Sequence, residues 1–74
     1  MQLTDEQRAM LLFIGSPDDG SQLHIVQDPD RVTKELMRLG LVHFTGKDSR
    51  GVEQHDLTDT GEQVYGELTG EDMT

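Results

Sequence analysis

With 74 residues and a formal charge of −9, the chain makes one small domain whose core is near the lower limit for folding alone. Cysteine is absent, which excludes a disulfide framework, a thiolate metal site and a cysteine nucleophile. No apolar run approaches the ~20 residues of a membrane span. The acidic opening 1–6 lacks the basic start and apolar stretch of a signal peptide, so a cytoplasmic location is expected.

The chain order predicts an α+β domain: helix, short strand, helix, β-hairpin, helix. Thr4 followed three residues later by Gln7 forms a capping box, which opens a helix running to about Gly15. Residues 10–14 are apolar at five consecutive positions, more than one helical stripe requires, so part of the run is core and the rest is covered or used as a contact. Residues 16–21 read as a turn, and 22–26, β-branched towards its end, as a short strand.

The next helix, 29–39, has both ends marked. Asp28 suits the N-cap, Pro29 the first helical position, and Gly40 the left-handed residue that closes a helix. Val32, Leu36 and Leu39 form its apolar stripe, and Arg31, Lys34 and Arg38 form a second, cationic stripe. Residues 41–45 predict a strand, 46–51 a glycine-bounded turn and 52–57 a returning strand. The returning strand is apolar only at its ends, so its register stays open. Thr58 caps a last helix whose buried line is Gly61, Val64, Tyr65 and Leu68. A single domain over 1–74 is expected, ordered over about 4–68, with a frayed acidic tail at 69–74.

Charge is distributed unevenly. Residues 31–50 hold five of the six basic residues against Glu35 and Asp48, a local charge of +3. The remaining residues hold Arg8 against thirteen carboxylates. Screening over ~8 Å lets such a patch act in spite of remote charge of the opposite sign.

No catalytic constellation appears, and no enzyme, cofactor or metal is expected. The carboxylates are scattered over polar faces, and the serines have no histidine placed to activate them. Asp28-x-Asp30 lacks the glycine and glutamate of a calcium loop. His43 and His55 approach each other across the expected hairpin, but two histidines without a third ligand make a poor zinc site.

Leu39-Gly40-Leu41-Val42, a glycine-tipped hairpin, and then Leu57-Thr58-x-x-Gly61 opening a helix resemble a winged helix-turn-helix domain. The likeness is to small bacterial, archaeal and phage regulators of the multiple-antibiotic-resistance and phenolic-acid-decarboxylase regulator type. The helix that should precede the recognition helix is shortened or missing. The resemblance implies that helix 29–39 enters the major groove of double-stranded DNA and that 46–51 is the wing tip.

On that reading the chain is a transcriptional regulator acting as a homodimer. Arg31 and Lys34, with Gln27 in reach, face the groove, while Arg38, Lys47 and Arg50 hold phosphates. A rival expectation is an acidic phage-type inhibitor, of the anti-restriction or anti-CRISPR kind. It presents Asp18, Asp19, Asp28 and Asp30, or else Asp59, Glu62 and Glu67 on the other side of the chain, to a basic surface of a host nucleic-acid-binding protein. The acidity also resembles the surface bias of salt-adapted organisms.

Overall fold

The computed structural model describes residues 2–16 and 23–70. Among the described residues it is an α+β domain of three α-helices and one two-stranded antiparallel sheet. The first helix, α1, spans Asp5–Gly15, and its capping box is complete. The Thr4 hydroxyl accepts from the Gln7 amide, and the Gln7 side chain accepts from the Thr4 amide, each at 3.1 Å. Ala9 and Leu11 are buried, and Met10 and Ile14 pack on the same core.

The expected strand at 22–26 is a 3-10 turn over Leu23–Ile25, closed by the Val26 amide donating to the Leu23 carbonyl at 3.0 Å; Gln22 lies outside the described residues. A strand needs a neighbour to complete its ladder, and among the described residues both hairpin strands pair only with each other. The 3-10 bond satisfies this backbone locally and still delivers Ile25 and Val26 to the core.

Helix α2, Pro29–Arg38, starts as expected: the Asp28 carboxylate accepts from the Arg31 amide at 3.2 Å, and Pro29 holds the first turn. Its apolar stripe differs from the one read in the sequence. Val32, Thr33 and Leu36 are buried, but Leu39 is the C-cap and stays 43% exposed. The helix ends one residue too early for Leu39 to face inward. Gly40, at φ +79°, reverses the chain. Its amide donates to Met37 at 3.0 Å, and the Leu41 amide donates to Leu36 at 2.9 Å, the paired bonds of a Schellman closure. Leu41 takes the inward position instead and is fully buried beside Leu36.

Strands β1 (Val42–Lys47) and β2 (Glu53–Leu57) form the hairpin. Val42 pairs with Leu57, His43 with Asp56, Phe44 with His55, Gly46 with Gln54 and Lys47 with Glu53, with a bulge at Thr45. Gly46 and Lys47 therefore belong to the strand, and the tip is 48–52 rather than 46–51. His43 and His55 stand on opposite faces, because their register places them one residue out of step. They do not meet.

Helix α3, Asp59–Thr69, is capped by Thr58. Gly61 and Val64 are buried and Tyr65 is half-buried, but Leu68 is 36% exposed, one turn beyond the core. Thr69 is the last helical residue and Gly70 the left-handed cap; residues 71–74 lie outside the described part.

The motif that carried the family resemblance has a structural task. The Thr58 amide donates to the Leu41 carbonyl at 3.0 Å, and the Thr58 hydroxyl donates to the Gly40 carbonyl at 2.5 Å. That same hydroxyl accepts from the Gly61 amide at 3.0 Å. One threonine thus joins the end of α2 to the start of α3 and brackets the hairpin at its base.

Candidate nucleic-acid interface

The cationic stripe of α2 divides into two parts. Arg31 is drawn towards α1: its guanidinium reaches both Glu6 carboxylate oxygens at 3.3 Å, Glu35 at 3.2 Å and Asp28 at 3.9 Å. Glu6 also accepts from the Gln27 amide at 3.2 Å, and Glu35 from the Gln7 side chain, again at 3.2 Å. Arg31 and the backbone of Gln27 therefore fasten α2 to the first turn of α1. With three carboxylates around it, Arg31 brings no net positive charge to this face, although the side chain remains about half exposed.

Lys34, Arg38 and Lys47 have no ion-pair partner among the described residues, and all three are exposed. Arg50, at the hairpin tip, meets Asp48 at 3.4 Å with 81% of its side chain in solvent, so it is held only loosely. Asp48 organises the tip. Its carboxylate accepts from the Arg50 amide at 2.8 Å and the Val52 amide at 3.0 Å. These donors, Val52 first, hold the Asp48 carboxyl below its ordinary value.

A groove of about 460 Å³ runs between α2 and the hairpin. Met10, Met37 and Val52 supply apolar lining, and Asp30, Lys34 and Glu53 supply charge. Lys34 also borders a shallower depression that contains Arg38. Lys47 is the direct cross-strand partner of Glu53 and shares its sheet face. Arg38, Lys34 and Lys47 therefore follow one side of the molecule, from the end of α2 across the groove to the hairpin.

The acidic candidates fare unevenly. Asp18 and Asp19 lie outside the described residues. Asp28 is committed to the N-cap and to Arg31, while Asp30 is exposed at the groove edge. On α3, Asp59, Glu62 and Glu67 are exposed, and that helix has no cation. Among the described residues no group of three or more His, Asp or Glu side chains is placed to hold a metal ion. None of their helices is long and apolar enough to cross a membrane.

The Arg31–Glu35 pair was legible from its i, i+4 spacing. The contact of Arg31 with Glu6, 25 residues away, has no local signal. The groove itself was missed too, because its lining comes from three separate elements. No family model, curated protein or solved structure matches this chain.

Proposed function

We propose that the chain is a DNA-binding regulator of winged-helix type, in which Lys34 and Arg38 of α2 and Lys47 and Arg50 of the hairpin approach the phosphate backbone. The observation that supports it is the segregation of ion pairs. Arg8 and Arg31 are neutralised on α1 or against it, whereas the cations of α2 beyond Arg31 and of the hairpin are unpaired or loosely held. Short-range screening keeps the net charge of −9 from cancelling that strip at physiological salt. A single short helix reads few base pairs, so a homodimer on a two-fold site is the working form.

In this reading Arg31 is a fastener rather than a base reader. Four phosphate contacts per subunit would give a slope of log affinity against log salt of about −3.6. Titrating random duplex DNA across salt, with fluorescence anisotropy as readout, tests this directly. Lys34→Gln should flatten the slope by about 0.9, and Arg31→Gln should leave it unchanged. Absence of duplex binding at low salt would overturn the proposal.

A second reading, a protein that occupies a basic nucleic-acid-binding surface, draws on the cation-free acidic face of α3. It expects no duplex binding and loss of partner capture when Asp59, Glu62 and Glu67 are changed to their amides.

A further inference from the structure

We infer that the groove between α2 and the hairpin docks a cationic, apolar segment of a partner protein. Aliphatic side chains of that segment fill the space between Met37 and Val52, and flanking arginines or lysines pair with Asp30 and Glu53. The inference does not depend on the nucleic-acid reading above.

Two walls face each other across the groove. Asp30, Thr33, Lys34 and Met37 follow at i, i+3, i+4 and i+7, so they make a single line along α2. Glu53 and His55 alternate with Leu57 on β2, and so share the sheet face that Leu57 turns to the core. Gly51 and Val52 extend that wall towards the tip, and Met10, packed on the core, links the groove to it.

The first pointer to the occupant is apolar surface left open. Met37 is 38% exposed and Val52 51% exposed, and both line a space of about 460 Å³. That volume falls within the roughly 300–1,000 Å³ of ordinary ligand sites. Methionine is flexible and polarisable, so Met10 and Met37 can mould themselves to an inserted side chain.

The second pointer is charge. The lining holds two carboxylates and one lysine, and among the described residues neither Asp30 nor Glu53 makes an ion pair. Lys47, across the strands from Glu53, is not part of the lining. Beyond the groove, the formal charge of −9 draws cations to the molecule. Arginine and lysine suit this place twice over: their methylene stems cover apolar surface while their heads reach the carboxylates. A second copy of the chain would bring four carboxylates against two lysines into one interface, because each copy contributes the same lining. Charge therefore favours a basic partner over a second copy.

The test uses the whole chain and a short labelled synthetic peptide that carries leucines between arginines. Fluorescence anisotropy should detect binding, and the methyl resonances of Met10 and Met37 should shift on its addition. A peptide with serine in place of leucine, and one with glutamate in place of arginine, should both bind at least about tenfold more weakly. Val52→Ser should weaken binding of the parent peptide by about tenfold. Asp30→Asn and Glu53→Gln should each weaken it by about 1.5- to 5-fold, the worth of an exposed ion pair. Lys34→Gln should tighten the peptide by a similar factor while weakening duplex DNA, so one variant moves the two ligands in opposite directions.

Peptide binding without duplex binding would support this inference and overturn the regulator; duplex binding without peptide binding would do the reverse. Equal binding of the serine peptide would reduce the interaction to diffuse charge and overturn the inference. A dimer that Val52→Ser dissociates, with no methyl shifts on peptide addition, would assign the groove to a second copy and overturn it as well.

Discussion

Gly61, in the first turn of α3, packs its backbone directly on the carbonyl of Leu41, and a Cβ at position 61 would be driven into that carbonyl. Alanine in place of glycine normally favours a helix by about 1 kcal/mol. Here the obstruction is backbone rather than a flexible side chain, so the overpacking term exceeds the propensity gain. Gly61→Ala should therefore destabilise the domain by about 1–3 kcal/mol in urea denaturation. A more stable variant would show that α3 does not seat on the end of α2 as described.

The two leucines at the end of α2 should separate sharply. Leu36 is fully buried, and its truncation to alanine should cost ~2–5 kcal/mol through lost burial and a cavity. Leu39→Ala, at a half-exposed cap position, should change stability by roughly 0.5 kcal/mol or less. Paired thermal melts decide this. Equal losses would restore the stripe that the sequence suggested.

Asp28→Ala should remove the bond to the Arg31 amide and weaken an Arg31 contact, costing roughly 0.5–2 kcal/mol. Arg31→Gln should cost no more than about 1 kcal/mol, because its partners are partly solvated surface carboxylates. Urea denaturation of both variants checks the ranking.

Asp48 makes the hairpin tip sensitive to acid. Its folded carboxyl titrates below the ordinary value of 3.8, chiefly because the Val52 amide donates to the ionised form. A depressed folded value means that its contribution is complete above the ordinary range and is lost as pH falls through the lower folded value. Amide resonances of Arg50 and Val52 should titrate with a midpoint below 3.8. A midpoint at or above that value would contradict the tip geometry. Asp48→Ala should abolish the transition and broaden both signals at neutral pH.

Local chemistry made much of this fold readable. The Thr4–Gln7 capping box, the Asp28-Pro29 start, the Gly40 stop and the Thr58 cap all act within five residues of chain, and each stands where the sequence put it. Where a reading depended on a distant partner, it went astray. The stretch ending in Ile25-Val26 looked like a strand, but no ladder was at hand to receive it. Leu39 matched the helical period, yet the closure at Gly40 gave its inward place to Leu41. His43 and His55 are separated by a register that polar strand interiors could not specify.

For the candidate interface the division is similar. The sequence by itself determined which residues carry positive charge, that they gather in one window, and that a helix and a hairpin present them, because charge and helical period are properties of neighbouring residues. Only the tertiary structure decided that Arg31 is held by Glu6, that Lys34 shares one groove with Glu53 and His55 of the hairpin, and that Lys47 lies across the strands from Glu53. Those relationships join residues from α1, α2 and the hairpin, and contacts between separate elements have no period for a sequence to display.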